Sequence, residues 1–306
     1  MKPFLLLFNY LIFPGFLFSL IVGLLAGGLD RICTARLQWR KGPPLIQNFW
    51  DIIKLTGKET IVPEGSKWSF LLAPYLSVLG LGLVAVILGK GIIFPAEGFM
   101  GDLIVILYLL IIPALALILG ASSSRNPLAS VGASREMKMV MAYELPFLLS
   151  VVAMIIKNRG ALQIGQLLDY QLIYGSNAAS WSGGLAFFVA ILCMQAKLGL
   201  VPFDASEADQ EIMGGVLIEY SGIPLALFKC AKAMLLYLMP MLLIVLFWGR
   251  DVSPLALVGK YIALLVVIIL IKNTNPRLRI DQAMRFFWRI PTLLAALAVV
   301  LATLGL

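Results

Sequence analysis

The chain has 306 residues, of which 61% are hydrophobic and only 13% are charged, and its mean hydropathy is +0.97. This balance excludes a soluble globular domain and predicts an all-α protein that crosses a membrane several times. The net charge of +8 does not indicate nucleic-acid binding, because the basic residues lie in loops beside apolar runs, where they are an ordinary topology signal.

Eight apolar runs predict about eight transmembrane helices in a single integral membrane domain, residues 1–306. The first run is long enough to remain as a span, and no signal-peptide cleavage pattern follows it. The fourth and fifth runs are short for a bilayer of about 30 Å, so we expect them to pack inside the bundle. The predicted spans are Phe4–Gly28, Ser69–Phe94, Leu103–Ala121, Met139–Ile156, Leu185–Val201, Pro224–Trp248, Leu255–Ile271 and Ile290–Leu306.

The Lys and Arg residues concentrate in the first, third and seventh loops between these runs. Positively charged loops face the cytoplasm, so this pattern predicts a multi-pass protein of the cytoplasmic (inner) membrane with both termini outside. The predicted cytoplasmic loops are about 29–68, 122–138, 202–223 and 272–289.

Within the first loop, apolar and polar residues alternate at helical spacing over Leu45–Leu55. Ile46, Phe49, Trp50 and Ile53 would form an apolar face, which predicts an amphipathic interfacial helix that lies on lipid or on a docked partner.

The fifth loop, over Pro202–Gly222, carries five acidic residues and no Lys or Arg, unlike the other cytoplasmic loops. Glu207 and Glu211 are four residues apart and would share one helix face. Carboxylates packed this closely tend to retain a proton, and ionisable groups near hydrocarbon often mark an ion path. The alternative is an acidic loop that simply faces water.

The sequence lacks the residue patterns that usually bind a metal ion, an iron–sulfur cluster or a haem. The chain has no histidine, and Cys33, Cys193 and Cys230 are too far apart to form a cluster motif. We therefore expect no cofactor in this chain and assign any redox chemistry to partners.

Four segments at the predicted cytoplasmic side carry most of the charge: TARLQWRKGPPLIQNFWDIIKLTGKE, GASREMKMVMAYELP, PFDASEADQEIMGGVLIEYSG and NPRLRIDQAMRFFWR. In content and order they resemble the NuoH-like family of membrane subunits, found in respiratory complex I and in membrane-bound energy-converting hydrogenases. The resemblance covers nearly the whole chain. It implies eight spans at the junction between a peripheral electron-transfer arm and an ion-pumping membrane arm.

The same resemblance implies soluble partner subunits that bear iron–sulfur clusters and a nickel–iron or related centre, and antiporter-like and small membrane subunits beside this chain. By motif it places Glu144, Asp204, Glu207, Glu211 and Glu219 on a polar path, and Arg277, Arg279, Asp281 and Arg285 against the peripheral arm. We add Asp209, Lys197 and Lys232 to this polar path. We also expect Arg36, Arg40 and Lys41 of the basic, aromatic first loop to contribute to the surface that docks the peripheral arm.

At several positions the sequence differs from the quinone-reducing members of this family, and these differences favour its assignment to the hydrogenase-type members. The first-loop motif is shortened to RKGPPLIQ, Lys197 and Lys232 stand where quinone-type members have Glu, and Leu200 stands where they have Arg. A lysine in an apolar span loses its charge unless it is paired. We expect Lys197 to pair with Glu144 or an acidic-loop carboxylate, and Lys232 with Glu144 or Glu211.

Each site residue also has a purely structural interpretation. Glu144 can serve as an interhelical hydrogen-bonding group, Asp204 as a helix cap, and Lys197 and Lys232 as side chains that extend to the membrane surface. Arg277 and Arg279 can be ordinary topology anchors.

The predicted function is that of a non-redox membrane subunit that couples electron transfer in soluble partners to proton or sodium translocation in a hydrogenase-type complex. The alternative is the quinone-site subunit of respiratory complex I, which predicts a lipid-accessible tunnel behind the first-loop helix. A stand-alone secondary transporter is a third possibility, but no internal repeat supports it.

Overall fold

The computed structural model of the chain describes residues 2–66 and 68–305; the side chains of residues 2–6, 209 and 210 lie outside this description. Over these residues the chain forms thirteen α-helices and no strand. The helices are α1 (Lys2–Leu11), α2 (Phe16–Leu37), α3 (Gln47–Thr56), α4 (Trp68–Ile93), α5 (Asp102–Leu109), α6 (Ile112–Ser123), α7 (Pro127–Lys157), α8 (Ile164–Tyr174), α9 (Trp181–Lys197), α10 (Asp209–Ile212), α11 (Gly222–Phe247), α12 (Pro254–Thr274) and α13 (Ile280–Thr303).

Eight helical segments correspond in number and order to the eight predicted spans. Seven of them are long and apolar enough to cross a membrane, and the eighth is the shorter apolar helix α9. With 17 residues, α9 rises about 26 Å and is shorter than a hydrocarbon core of about 30 Å. The polytopic all-α fold is therefore confirmed.

Several spans extend beyond their predicted bounds into the charged sequence. The fourth begins at Pro127 rather than Met139, and the eighth begins at Ile280 rather than Ile290. The Asn126 side chain accepts a hydrogen bond from the Leu128 N–H at 2.8 Å and caps α7 before its apolar part begins. Hydropathy detects only the apolar part of a helix, so charged turns at its end were predicted as loop.

The first predicted span is divided into two helices by a bend at residues 12–15. A Cβ atom at Gly15 would lie 2.0 Å from the carbonyl oxygen of Tyr10, so the chain can return on itself only with glycine at this position. Pro14, which cannot donate a backbone hydrogen bond, precedes it. Helix α2 then continues to Leu37, well past the predicted end of the span.

The core of the bundle is organised around α11, which packs against α2, α4, α9 and α12. Its second half, Leu238–Phe247, is buried throughout. Helix α7 packs against α13, α9 and α6 on the neighbouring side, which agrees with the expectation that the fourth and fifth spans are internal.

The first-loop helix is present as α3 and packs against α2 and α11. The Asn48 side chain donates to the carbonyl oxygen of Leu24 on α2 at 3.0 Å, while Trp50 and Ile53 remain exposed. The helix therefore has one face on the bundle and leaves apolar side chains available to lipid or to another protein.

One end of the bundle carries nearly all of the charge pairing. Helices α2, α9 and α12 finish there, and α4, α7, α11 and α13 begin there. All six ion pairs of the described residues lie at or near this end, which we call the charged end. The sequence predicts that it faces the cytoplasm.

Close contact between α2 and α11 depends on Gly23. A Cβ atom there would lie 2.0 Å from the carbonyl oxygen of Ala233, whereas a Cβ at Gly259 on α12 would meet no atom within 4 Å. We predict that Gly23→Ala lowers the thermal unfolding midpoint in detergent, because overpacking costs about 1–3 kcal/mol, and that the control Gly259→Ala does not. Equal midpoints for the two variants would show that the helices separate without cost.

Candidate functional site

The most buried charge pair joins α9 to α7. Lys197 Nζ, in the last turn of α9, donates to the two carboxylate oxygens of Glu144 at 3.0 and 3.2 Å. The Lys197 side chain is only 3% exposed, and its Nζ lies 5.2 Å from the centroid of the Phe147 ring and 5.8 Å from that of Tyr143. The expected pairing of Lys197 with Glu144 is present, and the lysine does not extend to solvent. The aromatic rings add further attraction for the cation.

The second lysine of the spans takes a different partner from the one expected. Lys232 on α11 pairs with Glu207 of the acidic loop, not with Glu144 or Glu211. Glu211 instead pairs with Arg135 of α7, with 2.5 Å between Arg135 Nη1 and Glu211 Oε2.

This arrangement corrects the prediction that Glu207 and Glu211 share one helix face. The only α-helix in the described part of the acidic loop is α10, which has four residues and begins after Glu207. Met213, Gly214 and Gly215 have positive φ and end this helix at once. The two glutamates bind cations from different helices, Glu207 from α11 and Glu211 from α7.

Asp204 joins the acidic loop to the segment between α12 and α13. Arg277 Nη2 donates to Asp204 Oδ2 at 2.5 Å, and the Leu278 N–H donates to the carbonyl oxygen of Pro202 at 3.0 Å. Asp204 is therefore an ion-pair partner and not a helix cap. Arg277, which the sequence suggested for docking, is already occupied by this contact.

The far end of the acidic loop is held at two further points. The Asn126 side chain donates to Glu219 Oε1 at 2.5 Å, and the Ile61 N–H of the first loop donates to Ser221 Oγ at 2.9 Å. The side chain of Asp209 lies outside the described residues. The acidic loop is thus folded onto the bundle and bound by α7, by α11, by the segment between α12 and α13 and by the first loop, in contrast to a freely solvated loop.

Sequence reasoning missed two residues that lie between the loop and the buried pair. Glu136 on α7 accepts a hydrogen bond from Ser206 and lies within electrostatic reach of Glu207 and Lys232. Tyr143, one of the largest fully buried side chains, lies within reach of both Glu136 and Glu144. Glu136 stands in the segment GASREMKMVMAYELP, next to Arg135, in a stretch that hydropathy assigns to a loop. No signal in the sequence pointed to it there, and only the extension of α7 back to Pro127 places Glu136 in a span.

A cavity of about 340 Å³ lies behind α3, between α2 and α11. Its wall is apolar at Leu24, Ile52 and Leu236 and charged at the positions where the helices approach the charged end. The charged residues that line it are Asp30, Arg31, Asp51, Lys229 and Lys232. Since Lys232 also binds Glu207, the cavity and the acidic loop meet at this lysine.

Two ion pairs close the cavity on the side of the first loop. Arg31 Nη1 lies 2.9 Å from Asp51 Oδ2 and 2.8 Å from Asn48 Oδ1, and Lys272 Nζ lies 2.7 Å from Asp30 Oδ2. Burial alone would raise the pKa of the Asp51 carboxyl. The hydrogen bonds from Arg31 and Gln47 and the charge of Arg31 outweigh that effect and hold the pKa below its usual value.

The remaining candidate docking residues form no ion pair within the described part of the chain. Arg36, Arg40 and Lys41 are exposed around Trp39, which is 98% exposed. On the first turns of α13, Asp281 and Arg285 are exposed, as is Arg279 just before that helix. These side chains share the charged end and are free to contact another molecule.

Together these features define a polytopic α-helical membrane protein in which an acidic loop, folded onto the bundle, leads to a buried charge pair. A sequence profile of the family described as NADH dehydrogenase matches residues 10–303. The chain belongs to this family, the NuoH-like subunits of membrane oxidoreductase complexes.

Relatives come from hydrogenase-type complexes as well as from quinone-reducing complexes. The chain is 31% identical to formate hydrogenlyase subunit 4 of Escherichia coli (strain K12), over 86% of this chain and 89% of that protein. It is 30% identical to the H subunit of NADH-quinone oxidoreductase from Syntrophotalea carbinolica, over 85% of this chain and 84% of that protein.

A solved structure has the same fold over the whole length. It is that of the membrane-bound sulfane sulfur reductase, an archaeal respiratory membrane complex. One of its chains matches 99% of this chain and 100% of its own length with a TM-score of 0.83 and 27% sequence identity.

Replacing one member of the Glu144–Lys197 pair leaves a buried charge without a partner. We predict that Lys197→Met destabilises the protein by about 3–5 kcal/mol and that adding Glu144→Gln restores part of this loss. The control Asp51→Asn, at an exposed pair, should cost only about 0.2–1 kcal/mol. Thermal unfolding in one detergent measures all of these, and a double variant less stable than Lys197→Met alone would contradict the buried-pair interpretation.

Proposed function

We propose that this chain is the non-redox membrane subunit that joins a peripheral electron-transfer arm to an ion-pumping membrane arm in a hydrogenase-type complex of the cytoplasmic membrane. Iron–sulfur clusters and a nickel–iron or related centre would belong to soluble partners, and antiporter-like and small membrane subunits would complete the membrane arm. The names of the relatives, which are subunits of such complexes, support this assignment.

A continuous series of ionisable groups carries the proposal. It begins with Glu207 and Lys232 at the charged end and continues to Glu136. From there it passes Tyr143 to Glu144 and Lys197 inside the bundle. Ionisable groups at this depth are costly unless they are paired, and in membrane proteins they commonly mark proton or ion routes.

The proposed coupling is electrostatic. A redox event in the peripheral arm changes the charge above the acidic loop, where Asp204, Glu207 and Glu211 each hold a cation from a different segment. A change in protonation of any of these carboxylates alters its ion pair and so alters the field at the next group of the series. The buried Glu144–Lys197 pair is the last member and transmits the change to the neighbouring membrane subunits.

A second candidate function is favoured by the cavity behind α3. Its volume of about 340 Å³ lies in the range of small-ligand sites, and it adjoins α3 where the sequence predicted a lipid-accessible tunnel. A quinone-type ligand would therefore have a place beside Lys232. Its wall carries the cations Arg31, Lys229 and Lys232, and a quinone that copurifies with the complex, or quinone-dependent turnover, would favour this function.

Glu144 should be needed for coupling but not for electron transfer. Glu144→Gln keeps the size and hydrogen-bonding capacity of the side chain and removes its titratable proton. We predict that reduction of the electron acceptor by the detergent-purified complex persists, while ion translocation in sealed vesicles falls several-fold.

The matched control is Glu64→Gln, which alters an exposed carboxylate of the first loop that forms no ion pair among the described residues. This variant should pump ions as the parent complex does. Normal ion translocation in Glu144→Gln would reduce Glu144 to a structural hydrogen-bonding group.

The exposed basic residues of the first loop should hold the peripheral arm. We predict that reversing both charges, Arg36→Glu with Arg40→Glu, releases the soluble subunits during purification and leaves the membrane subunits assembled. Arg159→Glu with Arg250→Glu, which reverses two exposed charges at the opposite end, should retain them. Subunit content on native gels measures the outcome, and a fully assembled, coupled complex carrying the first pair of changes would exclude this docking surface.

A further inference from the structure

Two adjoining cavities lie at the end of the bundle opposite to the charged end. The larger has a volume of about 520 Å³ and the smaller about 300 Å³. Phe13, Pro14 and Ile93 line both, so the two cavities adjoin and are treated below as two compartments of one site. None of the residues of the six ion pairs lines either compartment.

The larger compartment is an apolar slot. It is enclosed by the bend between α1 and α2, by the last turns of α4, by the middle of α11 and by the first turns of α12. Its wall contains Phe18, Met241 and Leu257, with the rings of Tyr237 and Tyr261 deeper along the slot. Val258 is 56% exposed at its edge, so the slot opens sideways, toward the place where the hydrocarbon of a membrane would lie.

The smaller compartment is charged and lies beyond the end of α4. Lys90, in the last turn of that helix, and Glu97, in the turn that follows it, both line this space. Neither side chain forms an ion pair or a hydrogen bond within the described residues, although they line the same space. A cation and an anion held apart in this way can each bind the opposite charge of one zwitterionic group.

We propose that this space is a binding site for a glycerophospholipid with an ethanolamine headgroup. An acyl chain fills the apolar slot, the phosphate binds Lys90, and the ammonium group donates hydrogen bonds to Glu97. The order of the compartments fits this ligand, because the apolar slot lies between spans and the charged space lies at their ends. Since the site lies away from the charged end, it does not depend on the proposed coupling function.

The charges select among lipid headgroups. A phosphatidylglycerol headgroup would bring its phosphate to Lys90, but its neutral glycerol would leave the negative charge of Glu97 without an opposite charge. A phosphatidylcholine headgroup has the same net charge as phosphatidylethanolamine, but its quaternary ammonium has no N–H to donate to a carboxylate. Free inorganic phosphate would leave the apolar slot unoccupied. Ethanolamine is the headgroup that complements both side chains.

The test uses the full chain, purified with the subunits that it retains and reconstituted into phosphatidylcholine vesicles. A phosphatidylethanolamine probe with a photoreactive group in its acyl chain is added, and labelled peptides are identified by mass spectrometry. We expect labelling to concentrate in residues 13–22, 89–93 and 252–261. Unlabelled phosphatidylethanolamine should compete for these peptides, whereas phosphatidylglycerol and inorganic phosphate should not.

Two kinds of variant test the apolar slot and the charged compartment separately. Val258→Trp fills the slot and should reduce labelling several-fold, while Leu297→Trp, at an exposed position of α13, should leave it unchanged. Glu97→Gln should retain the labelling but allow phosphatidylglycerol to compete as well as phosphatidylethanolamine does. Lys90→Gln should weaken binding of the probe, and Arg159→Gln, at the same end of the bundle, is its control.

Three results would overturn the proposal. Labelling spread evenly over all spans would show an ordinary lipid boundary, and a failure of unlabelled phosphatidylethanolamine to reduce the labelling against the phosphatidylcholine background would exclude recognition of the ammonium group. If residues 252–261 are labelled only after the neighbouring membrane subunits have been removed, the slot is a protein interface. Because the headgroup variants leave the apolar slot intact, their effect on competition remains informative even if Val258→Trp folds poorly.

Discussion

The charged end of this protein is organised by the requirement that a charge close to hydrocarbon must have a partner. Lys197 has almost no contact with solvent and is held by both oxygens of Glu144. Removing either group would leave the other as a buried, unpaired charge, which is far more costly than the loss of an exposed ion pair. This constraint fixes the distance between α9 and α7 and therefore the place where the acidic loop starts.

The same requirement shapes the acidic loop itself. Asp204, Glu207 and Glu211 each bind a cation from a different segment, namely the segment between α12 and α13, α11 and α7. Because the partners lie in different directions, the loop cannot form one long helix, and it is folded against three elements at once. Displacement of any one of these elements would separate one of the three ion pairs of the loop.

The two ends of the molecule have different physical characters. At the charged end, ion pairs, a cavity with a mixed wall and exposed bases beside Trp39 provide contacts for polar partners. The opposite end has an apolar slot beside Lys90 and Glu97. The central helix α11 contributes to both cavities, with Lys232 lining one and Tyr237 lining the other. It is also the helix against which α2 packs through Gly23.

The sequence by itself determined the class of protein, the number and order of the spans, and the position of the amphipathic helix, because hydropathy and helical periodicity are local properties. It also predicted that Lys197 pairs with Glu144 or with an acidic-loop carboxylate, since a lysine in an apolar span needs a nearby carboxylate, and the structure shows that the partner is Glu144. Only the tertiary structure decided that Glu207 binds Lys232 and Glu211 binds Arg135, and that Glu136 accepts a hydrogen bond from Ser206 of the acidic loop. Those contacts join residues far apart in the chain, and the choice among several nearby opposite charges depends on how the helices pack.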